Sequence, residues 1–307
     1  MYPKIVSLLP AATEIVCALG LENNLVGRSH ECDFPPSVKQ LPACSNANLP
    51  DNLSSGEIDV KVKELLADAL SIYTVDREVI KRLAPDVVIT QAQCEVCAVS
   101  LKEVEQALEN CLDKSVRIIS LQPNVLNDIF NDIKTIADSL NVKQAGERLL
   151  EELQERTDII RHKLKFVENK PTIACIEWLE PLMISGNWVP EMVALAGGIA
   201  ILTEPGKHST YTTWEQIVSA DPDIVIVMPC GFPIARTLNE MAILLQQPGF
   251  SDLKAVTNNG LYIADGNQYF NRPGPRIVDS IEILAEIINP KQFIFGYEGQ
   301  GWIQFSL

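Results

Sequence analysis

The fold of this chain is decided by the stretch Leu83-Ala84-Pro85-Asp86-Val87-Val88-Ile89-Thr90, which returns in altered form as Ala220-Asp221-Pro222-Asp223-Ile224-Val225-Ile226-Val227. Each copy follows a short helical pattern, at residues 74–83 and 213–220, and leads into a run of β-branched residues. This order predicts a helix, a turn and a buried parallel strand in both places. The sequence therefore predicts two similar α/β lobes with a ligand cleft between them.

The region between the two copies is predicted to be helical. Apolar residues recur three and four positions apart from Leu126 to Leu140, and a second stripe runs from Ala145 to Leu164. The second helix, predicted over 142–166, would be roughly 37 Å long at 1.5 Å per residue, which is long enough to connect two lobes. We therefore predict an N-terminal α/β lobe at 1–122, a helical linker at 123–170 and a C-terminal α/β lobe at 171–307.

Local patterns predict the remaining elements of each lobe. Strands are predicted at 5–9, 25–28, 116–121, 172–176 and 261–264. Helices are predicted at 11–19, 57–70, 99–112, 188–196, 237–246 and 277–288. Residues 29–56 are rich in Pro, Asn and Ser, and are predicted to form a loop over the first lobe.

Composition excludes several classes of protein. The chain has 307 residues, of which 47% are hydrophobic, and this is enough apolar material for two packed cores. The formal charge of −15 repels phosphate backbones and anionic lipid headgroups, so we expect no nucleic-acid partner. No apolar run reaches about 18 residues, so we expect no insertion into a membrane.

The first residues of the chain predict the cellular compartment of the protein. The opening apolar stretch is about six residues long and lacks the basic region of a signal peptide, so the chain as given is expected in the cytoplasm, or in the periplasm if a leader was removed. The eight cysteines would then be thiols, metal ligands or redox groups rather than disulfides.

One cluster of residues offers metal ligands. His30 and Cys32 follow the second predicted strand, and Cys94 and Cys97 follow the first copy of the repeated strand. Loops after the carboxyl ends of parallel strands face the ligand crevice of an α/β sheet, so these four side chains could meet. Imidazole and thiolate groups suit zinc or iron. Alternatively, these residues contact a ligand without holding a metal, or Cys94 and Cys97 are buried reduced residues or a redox pair.

Aromatic residues at strand exits of the second lobe predict flat walls for a ring-shaped ligand. Trp178, Trp188 and Tyr211 are in such positions, and Trp214 is better explained by packing because it opens a helix. The alternative for each tryptophan is packing within its own lobe.

A stiff polar loop precedes the last helix. Asn271, Arg272 and Arg276 project from a segment fixed by two prolines and a glycine, and could clamp a carboxylate or amide of a ligand. The alternative is a helix start in which an arginine pairs with a neighbouring acid. Pro10 and Glu31, at strand exits of the first lobe, complete the candidate ligand contacts.

The chain resembles the cobalamin and iron-siderophore substrate-binding proteins of ABC importers. The resemblance is carried by the opening block from Ile5 to Gly20, the Ala-Pro-Asp-Val-Val phrase, the long central helix and the block from Asn271 to Arg276. It implies two Rossmann-like lobes joined by one long helix, a ligand between them and an ABC permease as partner. In the family, an acidic residue on each lobe contacts the permease. Glu14 lies in the matching opening motif, but the sequence does not assign these contacts. The missing leader and the His/Cys cluster depart from the family and suggest a cytoplasmic branch.

Two classes of function follow from these features. The first is a binding protein for cobalamin, a related corrinoid or another metal chelate, in which His30 could supply an imidazole to the metal of the ligand. The second is an enzyme that uses zinc or iron held by His30, Cys32, Cys94 and Cys97. A scaffold with a vestigial cleft is a third possibility.

Overall fold

A computed structural model describes residues 3–50, 52–67, 72–91, 105 and 116–306. The chain divides into two compact units. Unit 1 comprises Met1–Leu53, Val60–Pro123 and Asn127–Glu152, and unit 2 comprises Ser54–Asp59, Asn124–Leu126 and Leu153–Leu307. The predicted α/β fold class is confirmed, because each unit combines helices with a sheet whose central strands are parallel.

Unit 1 contains a parallel sheet whose described strands are in the order β2-β1-β5-β6. A two-stranded antiparallel sheet of β3 and β4 is separate from it. The core of the unit is formed by buried residues within and directly beside these strands, together with one residue of α3: Val6, Leu8, Cys44, Ile72, Tyr73, Val88 and Ile80. The elements of the unit are β1 (Ile5–Ser7), α1 (Pro10–Ala18), β2 (Leu25–Arg28), β3 (Ser45–Ala47), α2 (Ser55–Ala67, whose first turn belongs to unit 2), β4 (Tyr73–Val75), α3 (Arg77–Leu83), β5 (Val87–Gln91), β6 (Arg117–Leu121) and α4 (Leu126–Ser139).

Unit 2 contains a sheet in the order β10-β8-β7-β11-β12-β13, with β9 paired to β7. Its central strands β7, β11 and β12 are parallel, whereas β8, β10 and β13 are antiparallel additions. The elements that follow α4 are α5 (Lys143–Lys163), β7 (Thr172–Leu179), β8 (Leu182–Ile184), α6 (Val189–Leu195), β9 (Ile199–Ala200), β10 (Thr210–Tyr211), α7 (Trp214–Ala220), β11 (Ile224–Val227), α8 (Ile234–Glu240), α9 (Ala242–Leu245), α10 (Lys254–Thr257), β12 (Leu261–Ala264), α11 (Ile277–Ile288) and β13 (Trp302–Gln304).

The repeated phrase has the same local structure in both units. The helix α3 leads to the buried strand β5, and α7 leads to the buried strand β11. Each helix ends at a residue in the left-handed region, Ala84 at φ 46° and Asp221 at φ 41°, immediately before the proline. The left-handed residue turns the chain out of the helix, and the proline prevents the helix from continuing. The prediction of a duplicated helix, turn and strand is confirmed.

The long helix α5 contains the division between the units. Its residues up to Glu152 are counted to unit 1, and those from Leu153 onward to unit 2. Its Gly146 allows close packing against α4, because a Cβ there would lie 2.5 Å from the Cβ of Ala137. The limits predicted from the sequence, 1–122, 123–170 and 171–307, stay predictions, as does the cleft between the lobes.

Three details differ from the sequence-based elements. Residues 73–75 form β4 rather than the start of a helix, because Asp76 accepts a hydrogen bond from the Val79 N–H and so begins α3 at Arg77. The predicted loop 29–56 includes β3, which pairs with β4, and the first turn of α2. The strands β8, β10 and β13 were not predicted. The helix predicted at 99–112 lies outside the described residues, apart from Glu105.

Over the described part of the chain, none of the helices combines the length and the apolar character needed to cross a membrane.

Candidate ligand-binding site

The strand exits of unit 1 are joined by backbone hydrogen bonds. The Leu8 N–H donates to Ile89 O at 2.9 Å, and the Ser29 N–H donates to Ser7 O at 2.8 Å. These bonds place the residues that follow β1 and β2 at one edge of the parallel sheet, as the sequence predicted. Pro10 lies at this edge as the first residue of α1 and is half-buried.

His30 is held in a defined orientation at this edge. Its Nδ1 lies 3.0 Å from Ser45 Oγ, and its ring lies 5.4 Å from the ring of Tyr73. The Tyr73 hydroxyl donates to Glu31 Oε1 at 3.3 Å, and that oxygen lies 3.9 Å from His30 Nε2. Burial and the nearby Arg28 guanidinium lower the pKa of His30 below its ordinary value of 6.5. The imidazole is therefore neutral at pH 7, and a quarter of its side-chain surface is exposed.

Ser45 and Tyr73 were missed by the sequence analysis. Both belong to the β3–β4 pair, in which Ser45 is in register with Val75 and Ala47 with Tyr73. The residues that hold His30 are therefore 15 and 43 positions away in the chain, and only the pairing of two short strands brings them to it. The run of β-branched and aromatic residues Ile72-Tyr73-Thr74-Val75 was a weak signal for this strand.

The proposed metal ligands are only partly described. The Cys32 thiol is buried and accepts a hydrogen bond from Thr13 Oγ1 at 3.1 Å. Within the described residues, no group of three or more His, Cys, Asp or Glu side chains is placed to hold a metal ion. Cys94 and Cys97 lie outside those residues, so the metal site of His30, Cys32, Cys94 and Cys97 stays a prediction.

The strand exits of unit 2 are also joined to one another. The Cys230 N–H after β11 donates to Glu177 O of β7, and the Gly231 N–H donates to Gly266 O after β12, each at 3.1 Å. The Gly266 N–H donates in turn to Phe232 O. A Cβ at Gly266 would collide with the carbonyl of Pro229, so only glycine permits this approach.

An aromatic and cationic group lies at this edge of unit 2. Trp178 is partly exposed, and its ring meets the edge of the Phe232 ring at a centroid distance of 5.2 Å. The guanidinium carbon of Arg236 lies 3.6 Å from the centroid of Phe232. Trp178 Nε1 donates to Ser55 O and Glu180 O, so the indole is fixed. Phe232 and Arg236 were missed, although they follow the second repeated strand directly.

Trp188 packs inside unit 2, and this corrects its interpretation as a ligand wall. It is 7% exposed, and its Nε1 donates to Phe270 O at 2.7 Å. Trp214 is equally buried and stacks on Phe250, in line with the packing interpretation. Tyr211 is 59% exposed on β10 and remains a candidate contact.

The stiff polar loop is mostly folded onto its own unit. The Arg272 and Arg276 side chains are each 8% exposed, and they bond to Asn267 Oδ1 and Gln268 Oε1, respectively. Both lie near the carboxylate of Asp265, which accepts the N–H groups of Asn267 and Gln268 at 3.0 and 2.8 Å. Asn271 Nδ2 donates to Gly266 O at 3.1 Å. The geometry favours the alternative in which Arg272 and Arg276 neutralise the charge of the neighbouring Asp265 over the one in which they bind a ligand.

Glu177 adds an ionisable group at the end of β7. Its Oε2 accepts a hydrogen bond from Ser209 Oγ at 2.8 Å, and that Oγ also accepts from the Gly186 N–H. Burial raises the pKa of Glu177, and the hydrogen bond from Ser209 opposes this rise. The carboxyl therefore gains a proton at a higher pH than an exposed glutamate.

Comparisons with known proteins agree with this geometry. Residues 5–267 match the family described as periplasmic binding protein. A vitamin B12-binding protein of Vibrio cholerae is 22% identical over 94% of this chain and 90% of its own length. An uncharacterized ABC transporter substrate-binding lipoprotein of Bacillus subtilis is 22% identical over 94% of this chain and 81% of its own.

A solved structure shares the fold. The crystal structure of a periplasmic heme-binding protein from Pseudomonas aeruginosa matches with a TM-score of 0.71 and 20% identity, covering 94% of each chain. The relatives named here are binding proteins, so the enzyme alternative is not favoured. Since the family model covers most of its length, the chain belongs to the periplasmic binding protein family.

Proposed function

We propose that this chain is the substrate-binding component of an ABC importer and that its ligand is a planar metal chelate, either a corrinoid or a haem. Family membership supports a small-molecule ligand and a permease partner. The names of the relatives support the ring-shaped, metal-centred ligand, since they state vitamin B12 and heme.

The observation that carries the proposal is the placement of His30 at the strand exits of unit 1, where Ser45 Oγ lies 3.0 Å from Nδ1 and a quarter of the side chain is exposed. A neutral imidazole can donate a lone pair to a metal, whereas an imidazolium cannot. The contact of Nδ1 with Ser45 leaves Nε2 as the nitrogen available to the ligand metal. Glu31 Oε1 lies 3.9 Å from Nε2, and the Tyr73 ring packs beside the imidazole, so both would orient it. Pro10 supplies an apolar contact at the same edge of unit 1.

In unit 2, we propose that Trp178 and Tyr211 contact the ring of the ligand and that Arg236 contacts its carboxylate or amide groups. Trp178 is fixed by two hydrogen bonds, so it would bind with little loss of side-chain entropy. Asn271, Arg272 and Arg276 stabilise the loop behind these residues, and Trp188 supports it through Phe270.

Titration with hydroxocobalamin, cyanocobalamin and hemin tests the proposal. We expect saturable binding of at least one ligand, with a shift of its absorption bands when His30 coordinates the metal. His30→Ala should weaken binding by about tenfold or more and abolish the band shift, because a coordinate bond is worth at least as much as one strong contact. His208→Ala, in an exposed loop, is the matched control.

Absence of saturable binding of all three ligands up to about 100 μM would remove the proposed ligand class, since that affinity lies far below the range useful for uptake. Binding with an unchanged spectrum in His30→Ala would retain the ligand and reject the role of His30.

Binding should depend on pH through the same imidazole. Because the pKa of His30 is lowered below its ordinary value of 6.5, most of the rings are neutral at pH 7 and above, so the affinity should change little between pH 8 and 7. It should fall at lower pH, where a proton competes with the metal for Nε2. Titrations across this range check the expectation, and an affinity that rises on acidification would contradict it.

We further propose a location for the protein. The role of an importer's binding component favours the outer side of the membrane, where the permease takes up its ligand, whereas the sequence suggested a reducing compartment. Among the described cysteines, Cys17, Cys44 and Cys175 are free thiols. Fractionation of cells that express the native gene decides between the two locations, and recovery from the cytoplasm would reject the importer role.

A further inference from the structure

One end of unit 2 carries exposed apolar side chains among lysines. Phe166 is 85% exposed beyond the end of α5, and Ile294 is 90% exposed beyond the end of α11. Phe295 is 39% exposed and stacks on the buried Phe293. We name residues 163–166 and 291–295 the basic aromatic patch.

The two segments of the patch are neighbours. Lys163 Nζ lies 5.1 Å from the centroid of Phe293, which connects the end of α5 with the segment after α11. A Cβ at Gly197 would touch both Leu164 and Asn289, so both segments also approach this glycine. The patch is therefore one surface assembled from two parts of the chain.

The charge of the patch is opposite to that of the whole protein. Residues 159–167 and 287–297 contain no Asp or Glu, whereas the chain as a whole has a formal charge of −15. Lys163, Lys165 and Lys291 are exposed there. Exposed charges interact mainly within a Debye length of about 8–10 Å, so the three lysines, together with the flanking exposed acids Asp158, Glu168 and Glu298, determine what approaches this surface.

The patch lies away from the strand exits. It lies at the end of the unit 2 sheet where β7 begins, because the chain passes from α5 to the first residue of β7, Thr172. The helix α11 follows the exit of β12 and runs back to this same end of the sheet. A surface depression of about 540 Å³ borders it, lined by Glu168, Asn169, Lys170, Pro171, Ile199 and Asp223. The mixed charges of this depression assign no ligand to it.

We propose that the basic aromatic patch binds peripherally to an anionic lipid bilayer. Protruding Phe and Ile side chains among lysines are the combination that inserts into the headgroup region while the ammonium groups contact lipid phosphates. The lysine stems over Phe293 and Phe166 keep their ammonium groups at the level of the rings. Such binding holds the protein at the membrane surface without any span.

Vesicle flotation with the full chain tests this proposal. We expect binding to vesicles that contain about a third phosphatidylserine and weaker binding to pure phosphatidylcholine, with a decrease as salt rises. The double variant Phe166→Ser with Ile294→Ser should reduce binding by about tenfold or more, because two apolar side chains no longer insert. Lys163→Gln with Lys165→Gln should reduce binding only to the anionic vesicles.

The matched control is Leu238→Ser with Leu245→Ser, since these side chains are 40% and 37% exposed, on α8 and at the end of α9. It should bind vesicles like the unchanged protein. Failure of the unchanged protein to float, or equal flotation of the Phe166 and Ile294 variant, would overturn the proposal. Sedimentation velocity distinguishes the other occupant: self-association that the same variant abolishes would make the patch an interface between copies and reject the lipid.

Discussion

Asp132 on α4 is a carboxylate in an unfavourable environment. Its Oδ2 is buried and has no hydrogen-bond partner among the described residues. Burial, together with the negative charge of Asp128 one turn earlier, raises the pKa of Asp132 from 3.8 to about 7. The folded protein therefore holds a proton that the unfolded chain releases, and its stability falls as pH rises from about 4 to about 7.

We expect Asp132→Asn to increase the free energy of unfolding at pH 8 by about 1–3 kcal/mol, because it removes the cost of a buried charge. The advantage should disappear near pH 4, where the aspartic acid is itself protonated. Urea denaturation at both pH values measures the effect. Asp138→Asn, on the exposed side of the same helix, should change little, and a loss of stability in Asp132→Asn at pH 8 would contradict the assignment.

The left-handed residues of the repeated phrase allow a second test. Ala84→Gly should stabilise the protein by about 0.5–1 kcal/mol, since glycine adopts a positive φ without the strain of a Cβ. Asp221→Gly should gain less, because Asp221 also accepts the Lys254 N–H at 2.9 Å. Denaturation of the two variants side by side checks the order, and greater stabilisation by Asp221→Gly would contradict it.

At the scale of elements, α5 and α11 are joined by ionic contacts. Arg156 of α5 donates to Asp279 at 2.6 Å and to both oxygens of Glu282 at 2.6 and 2.9 Å. These carboxylates raise the pKa of Arg156 against the effect of burial. The Tyr297 hydroxyl also donates to Glu282, at 2.8 Å. The contacts fix the second half of α5 to unit 2.

Arg156→Met should lower the free energy of unfolding by about 2–4 kcal/mol, because it leaves two buried carboxylates without their cation. The matched variant is Arg161→Met, whose exposed pair with Asp158 at 2.7 Å is worth about 0.5 kcal/mol or less. Thermal unfolding of both variants measures the difference. Equal losses would show that the buried contacts contribute no more than the exposed ones.

The sequence predicted those elements whose patterns are local. The buried strands β5 and β11 have continuous β-branched runs, and α11 has a strong apolar face, so their positions could be read from a few neighbouring residues. The strands β8 and β13 have three residues each, and their existence depends on antiparallel pairing with distant segments. The position of His30 at a strand exit could likewise be predicted from neighbouring residues. The contacts of His30 with Ser45 and Tyr73 could not be predicted, because they depend on the pairing of β3 with β4.

At the scale of the whole molecule, a bound ligand should stabilise the folded chain. Ligand at about one hundred times its Kd raises the free energy of unfolding by about 2.7 kcal/mol if it binds only the folded state. We expect hemin or hydroxocobalamin to raise the unfolding temperature of the unchanged protein, and to raise that of His30→Ala less. Differential scanning fluorimetry or circular dichroism measures the shift, and equal shifts in both proteins would contradict a role for His30.

The last strand, β13, forms one end of the sheet of unit 2. It pairs with the outer edge of β12 in antiparallel register. The Trp302 indole donates a hydrogen bond to the Glu286 carboxylate at 2.8 Å. The backbone N–H groups of Phe295, Gly296 and Tyr297 also donate to that carboxylate. A chain that ends before Trp302 would present unpaired amide and carbonyl groups along β12 to other molecules. The carboxyl-terminal residues thus act as a shield against intermolecular β-pairing, and shortened versions of this protein should scatter light at concentrations where the full chain stays clear.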